Sequence, residues 1–137
     1  MITKYIKVKT KGNSDVIDIT PELKTILVDE VIKDGILFLS IIGSTAGLTT
    51  MEYESGLEKD LKNSFEEFFP HKKKYFHNST WSDDNGHSHL RSTFIKTNMF
   101  VSITDSKLDL GTWQQVVLID FDTRPRERTI VVKYVQS

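Results

Sequence analysis

The sequence predicts an α+β fold, and three observations carry that assignment. Residues 2–10 alternate apolar and polar side chains and are rich in β-branched types, as a half-buried strand requires. Leu57, Leu61, Phe65, Phe68 and Phe69 form one stripe at helical spacing. Residues 128–135 alternate again, as a final strand. The full order reads ββαβα(α)βββ, with helices inserted among strands that mostly pair antiparallel. All 137 residues fit one domain, 1–137. A chain of this size buries roughly two-thirds of its unfolded surface and needs no covalent staples.

Taken in order, residues 2–10 are followed by the turn signal Gly12-Asn13 and a second strand over 14–19. The two strands predict a hairpin. Thr20 is a hydroxyl N-cap, Pro21 suits the first helical position and Glu22 complements the first turn. Leu23, Ile26, Leu27 and Val31 then predict a helix over 21–33, ended by Asp34-Gly35. Residues 36–42 are apolar on both faces and predict a fully buried central strand. Residues 43–50 are small or hydroxylic apart from Leu48 and read as a loop. The Leu57–Phe69 stripe predicts an amphipathic helix that Pro70 stops. Residues 71–86 are polar and irregular, and Leu90, Phe94 and Ile95 favour a short helix within 87–96. Residues 98–104 and 113–121 read as strands, with Trp113 in the core because of its large apolar area. Residues 123–126 turn the chain into the last strand.

Composition removes several function classes. Cysteine is absent, which excludes disulfides, thiolate nucleophiles and thiolate zinc sites. The net charge of −1 gives no global attraction to nucleic acid. No apolar run of about 18 residues exists, so no membrane-spanning helix is expected. The N-terminus lacks the apolar stretch of a signal peptide, so the expected location is cytoplasmic.

Three of the four histidines, with Asp83 and Asp84, fall in YFHNSTWSDDNGHSHLRS, residues 75–92. His77 and His89 flank this stretch, and Asp83 and Asp84 are the nearest carboxylates. Imidazole suits zinc and similar ions, and carboxylate oxygens complete such shells. The spacing matches no tight metal motif, and a polar surface loop is its ordinary alternative. His87 shares a face with His89 in a strand but not in a helix. His71 beside Lys72-Lys73-Lys74 reads as a solvated face. Ser44 and Thr45 lie in a small-residue run able to bring backbone N–H groups to an anion, without the lysine of a P-loop. Glu52 is placed to be a ligand or base, whereas Asp60 lies opposite the apolar stripe of its helix. Gln114 points away from Trp113 and is free to meet a ligand. Arg124 and Arg126 flank Pro125, and their guanidinium forks suit phosphate or carboxylate.

Together these stretches resemble the YjbQ family, also called secondary thiamine-phosphate synthase enzymes. The matching segments are Ser44-Thr45-Ala46-Gly47-Leu48-Thr49 with Glu52, Asp60, His77, and Trp81 through Leu90. They continue with Leu110-Gly111-Thr112-Trp113-Gln114 and Phe121-Asp122-Thr123-Arg124-Pro125-Arg126. The resemblance implies a mixed or antiparallel β-sandwich with two main helices and a short third. It implies a homotrimer with a polar metal pocket near a subunit interface, and weak thiamine-phosphate synthase activity on small phosphorylated metabolites. Carried onto this chain, it makes Glu52 and Asp60 catalytic, and His77, His89 and Asp84 ligands of a divalent metal, zinc or magnesium. It makes Arg124, Arg126, Ser44 and Thr45 phosphate-binding, with Gln114 and His87 also in the pocket. The chain departs from the family pattern at Gly43, where the family has histidine. It departs again at Met51, Ser55-Gly56, Ile95-Lys96 and Ser102-Ile103. If the residue at 43 is a metal ligand, one of three protein ligands is lost. A non-catalytic trimer that binds a metal or small anion is the alternative.

Overall fold

A computed structural model describes residues 1–137. The elements are β1 (Ile2–Thr10), β2 (Asp15–Asp18), α1 (Thr20–Asp29), β3 (Gly35–Ile41), β4 (Ala46–Met51) and α2 (Ser55–Phe68). They continue with α3 (Phe76–Trp81), α4 (Gly86–Ile95), β5 (Asn98–Thr104), β6 (Lys107–Leu108), β7 (Gln115–Asp120) and β8 (Arg126–Gln136). All strand pairs are antiparallel, in one sheet of order β1-β8-β3-β5-β6 and a second of order β2-β7-β4. No helix is long and apolar enough to cross a membrane.

The sandwich follows from the alternation within each strand. Ile6 and Val8 of β1, Leu37, Leu39 and Ile41 of β3, and Ile130 and Val132 of β8 turn inward from the larger sheet. Leu48, Val116 and Leu118 meet them from the smaller sheet, and Leu23 and Leu27 of α1 close one end. The far face of the smaller sheet presents Val16, Val117, Ile119 and Phe121 to Phe65 of α2 and Ile95 of α4. The layers are therefore sheet, sheet, helices. The strand buried on both faces is β7, whose Val116 through Ile119 are fully buried. β3 does not have that role. It is central in its sheet, but Phe38 on its outer face is 46% exposed. Its second apolar face meets no layer of the same chain.

Several other sequence expectations change for identifiable reasons. β1 and β2 do not form a hairpin, because β1 pairs with β8 and β2 with β7. The intervening turn carries the chain from one sheet to the other. Gly12 has φ +78° there, and a Cβ would lie 2.6 Å from the carbonyl oxygen of Arg124. Only glycine meets both demands. Thr20 is not an N-cap but the first residue of α1, and its backbone N–H donates to Asp18 Oδ1 at 2.9 Å. Residues 46–50 belong to β4 rather than a loop. Trp113 precedes β7 and is 72% exposed, outside the core. Within 71–86 the short helix α3 forms, and α4, predicted as a minor helix, is as long as α1.

α4 is the element that matters for the site, and β4 fixes it. Ser92 Oγ donates to the Ala46 carbonyl at 2.6 Å, and Gly47 lets the helix approach closely. A Cβ at Gly47 would stand 2.7 Å from Ile95 Cγ2 and 3.1 Å from the Lys96 carbonyl oxygen. Gly47→Ala should therefore cost about 1–3 kcal/mol in urea unfolding, as overpacking does. A variant as stable as the parent would show that α4 is not seated this tightly.

Candidate functional site

Three segments meet at one end of the sandwich: residues 42–45 before β4, the α3–α4 region, and the turn between β7 and β8. His77 on α3 and His89 on α4 come together with ring centroids 4.3 Å apart. The α3–α4 junction makes this possible. Asn78 Oδ1 accepts the Gly86 N–H at 2.9 Å, and a side chain at Gly86 would collide with Tyr75. Ser82 takes the left-handed conformation that ends α3.

His77 Nε2 lies 3.1 Å from Asn85 Oδ1, and Asn85 Nδ2 donates to Asp122 Oδ1 at 3.4 Å. Because the amide turns its donor to the carboxylate, it offers only oxygen to the imidazole. His77 Nε2 must then carry the proton, leaving Nδ1 with a free lone pair. This is the outer-shell arrangement that prepares a histidine to bind a metal. Burial lowers the His89 pKa, as does neighbouring His77, so His89 stays neutral more readily than free imidazole.

Beneath the histidines lies a buried ionic network. Arg128 donates through Nε to Asp120 Oδ2 at 2.7 Å and through Nη2 to Asp120 Oδ1 at 2.8 Å. Thr10 donates to the same Asp120 Oδ2 at 2.6 Å. Thr45 accepts from Arg128 Nη2 at 2.6 Å and donates to Asp122 Oδ2 at 3.2 Å. Arg126 grips Asp122 Oδ2 through Nε at 2.9 Å and Nη2 at 2.6 Å. Burial opposes ionisation of Asp122, but the hydrogen bonds from Arg126, Thr123 and Asn85 outweigh it and hold its pKa down to about 2. Asp120 is likewise lowered against burial by Arg128 and Thr10.

At position 43 the backbone has φ +146°, and a Cβ would lie 2.9 Å from Arg128 Nη1. A side chain there would need a strained backbone and a shift of that guanidinium nitrogen. Beside it a cleft of about 310 Å³ is lined by Gly43, Ser44, His89, Thr93, Lys96 and Asn98, among others, with no apolar residue.

The predicted site residues divide into two groups. Ser44, Thr45, His77, His89, Arg126 and Asp84 surround the end just described. Asp84 reaches only Thr123, whose hydroxyl lies 3.5 Å from its Oδ1. Arg126 is held by Asp122, while Arg124 is exposed. His87 is buried and faces away from the pair, with its ring 4.2 Å from that of His71. Burial pushes its pKa down to about 4, with His71 adding to the effect. Glu52, Asp60 and Gln114 do not join them. Gln114 donates to Thr50 Oγ1 at 3.0 Å, and Tyr53, next to Glu52, donates its N–H to Gln115 Oε1 at 2.9 Å. That is the opposite end of β4 from Thr45, roughly 20 Å away by strand rise. Asp60 is exposed on α2. A larger cleft of about 550 Å³ lies at this far end, lined by Asp18, Lys24 and Gln114 among others. It carries no imidazole, so the smaller cleft is the better candidate for metal-assisted chemistry.

The donor set fits a divalent ion in part. Two neutral imidazoles suit zinc rather than magnesium, which prefers oxygen. No group of three or more His, Asp or Glu side chains gathers around a common point within the chain. Sequence reasoning missed Asn85, Asp120, Asp122, Arg128 and Lys96. One signal was available: acids at 120 and 122 and arginines at 126 and 128 each share a strand face across one turn.

The family model described as UPF0047 protein YjbQ-like matches residues 4–137. A UPF0047 protein of Archaeoglobus fulgidus is 31% identical over 128 residues, covering 93% of this chain and 97% of the relative. One from Methanothermobacter thermautotrophicus is 32% identical, covering 95% and 89%. A hypothetical protein of Aeropyrum pernix superposes with a TM-score of 0.92 at 28% identity, covering 100% of both chains. A YbjQ-like protein of unknown function from Sulfolobus solfataricus gives 0.89 at 29%, covering 99% of both.

The network predicts an acid-sensitive fold. Asp122 titrates at about 2 in the folded chain against an ordinary 3.8, so its stabilisation is complete above about pH 4 and is lost as pH falls toward 2. Between pH 5 and pH 2, wild type should lose about 2 kcal/mol more than Asp122→Asn in urea unfolding. Equal losses in both proteins would refute the linkage.

Proposed function

The chain belongs to the UPF0047 YjbQ-like family over residues 4–137, and from that premise we propose that it is a thiamine-phosphate-synthase-like protein. The reaction couples a hydroxymethylpyrimidine diphosphate to a thiazole phosphate. The thiazole ring nitrogen forms a C–N bond to the pyrimidine methylene carbon. The carbon–oxygen bond to diphosphate breaks, and diphosphate leaves with the electron pair. The attacking nitrogen carries no proton, so the bond-forming step needs no general base. What the site must supply is orientation and stabilisation of the leaving charge.

The observation that carries this reading is the convergence of His77 and His89 beside a cleft without apolar lining. A divalent cation, when bound, would neutralise diphosphate charge. His77 Nδ1 and an imidazole nitrogen of His89 are the donors for it. Asn85 and Asp122 keep His77 in the tautomer that leaves Nδ1 available. Neighbouring Ser44 and Thr45 lie beside the phosphate side of the site, with Thr45 already engaged by Arg128 and Asp122. Glu52 and Gln114, at the far end of β4, sit too far off to act in the same subunit.

That separation favours an assembly. A homotrimer is part of this proposal, with the far end of one subunit completing the histidine end of another. The outer face of the larger sheet supports self-association: Tyr5, Phe38 and Phe100 are 66%, 46% and 63% exposed. Phe38 and Phe100 lie side by side, ring centroids 6.4 Å apart, and adjoining apolar exposure of this kind marks contact surfaces. The second reading is a non-catalytic trimeric binder of a metal or small phosphorylated metabolite. It is favoured by Arg126, which is committed to Asp122, and by Arg128 Nη1 filling the space at Gly43.

Purified protein supplied with both substrates and zinc or magnesium should form thiamine phosphate, and His89→Ala should lower the rate at least about a hundredfold, in the range seen when a transition-state stabiliser is removed. No product above the His89→Ala background would remove the catalytic reading. Zinc-dependent thermal stabilisation without turnover would leave the binder in its place. Sedimentation equilibrium should return three times the 15.8 kDa chain mass, and Phe38→Glu with Phe100→Glu should shift it toward monomer. A wild-type monomer at micromolar concentration would sink the trimer.

A further inference from the structure

The cleft beside His89 contains one residue whose side chain the fold does not account for. Lys96 follows α4 with φ +86° and ψ 150°, a conformation that side-chain-bearing residues rarely adopt. The surrounding structure imposes it. The Lys96 N–H donates to the Ser92 carbonyl at 2.8 Å, and its own carbonyl accepts the Leu48 N–H at 3.0 Å. Glycine would meet these demands without strain. The chain holds a lysine there instead, and that side chain lines the polar cleft with His89, Gly43 and Ser44.

Its charge is also uncommitted. Arg126 and Arg128 are neutralised by Asp122 and Asp120, and none of the chain's ion pairs includes Lys96. The backbone N–H groups of Gly43 and Ser44 donate to no group within the chain. An unpaired ammonium and free amides on one cleft form a place for an anion of several oxygens. We propose that Lys96 is the phosphate-binding residue of this cleft, gripping the phosphate or diphosphate of a small metabolite beside His89. This deepens the reading given above and moves its phosphate side from Arg126 to Lys96. Arg126 is built into the fold, whereas the lysine is a mobile point charge facing open space.

Isothermal titration of the full-length protein with inorganic pyrophosphate, with and without zinc, tests it. Lys96→Met keeps the backbone constraint and removes the charge. It should bind pyrophosphate about tenfold more weakly or worse, with an unchanged melting temperature. Lys96→Gly should lose the same affinity while melting at or above the wild-type temperature, because φ +86° suits glycine. Lys96→Arg should stay within a few-fold of wild type. If Lys96→Met binds as wild type does, the assignment is overturned while the histidine site stands. If pyrophosphate binds through Lys96 but both substrates yield no product, the catalytic reading falls and this one stands. A wild type that binds no pyrophosphate under either condition overturns the anion site altogether.

Discussion

The Asp120–Arg128 pair is the constraint from which the rest of the site follows. Both side chains are buried, and each sits on a different sheet. Removing two charges from water is expensive, and their attraction offsets the cost only when the remaining polar atoms are also satisfied. Here Thr10 and the Asp122 N–H complete Asp120, and Thr45 shares Arg128. Such a pair adds little net stability, but any shift of one sheet against the other would leave an uncompensated charge. It thereby fixes where β7 ends and β8 begins. The turn between them then has one geometry, which presents Asp122 to Asn85 and, through it, to His77.

α4 is held with similar redundancy. Arg91 is buried and donates to the Phe69 carbonyl and to Glu66 Oε2, closing the C-terminal end of α2. Ser88 Oγ donates to the Phe121 carbonyl and Ser92 Oγ to that of Ala46. Because the Ser88 proton is used this way, the contact with His87 Nε2 requires the imidazole to be the donor. His87 is thus a neutral structural residue, consistent with its burial. His89, two positions on, lies on a different face and is only half-buried. One helix therefore carries one histidine that packs and another that is available for chemistry, and helical periodicity separates them.

The legible parts of the fold were those decided by local pattern. The α2 stripe, the α4 segment and the alternation of β8 could all be read because their apolar faces are written in consecutive residues. Pairing was not legible, because the Gly12 turn looks like a hairpin turn yet carries the chain between sheets. Nor was the choice between β3 and β7 as the buried strand, since both are apolar on two faces and only assembly leaves Phe38 outside. At the site, spacing alone left His77 and His89 as a weak pair, and the family resemblance singled them out. The supporting network stayed hidden because its members are up to 110 residues apart, as Thr10 and Asp120 are. The separation of Glu52 and Gln114 from the histidines was hidden for a related reason. Motif order says nothing about which end of β4 a residue occupies.

Gly43 takes on a different meaning once its neighbours are known. As a sequence difference it reads as a lost ligand. In the fold it is a position where φ +146° strains any side-chain-bearing residue and a Cβ would press on the Arg128 guanidinium. A side chain there would have to displace Arg128 Nη1, while Arg128 Nε and Nη2 hold Asp120. Positive charge at this end of the molecule is therefore divided by role. The two arginines neutralise the buried acids with planar, multi-donor geometry that suits a fixed network. The lysine stands outside that network on a strained but fully constrained backbone. The lysine and the unpaired amides of 43 and 44 line one cleft, with His89 on its wall and His77 stacked against His89. Under the reading proposed above, the lysine and these amides would take the anionic end of a ligand and the two imidazoles a divalent ion.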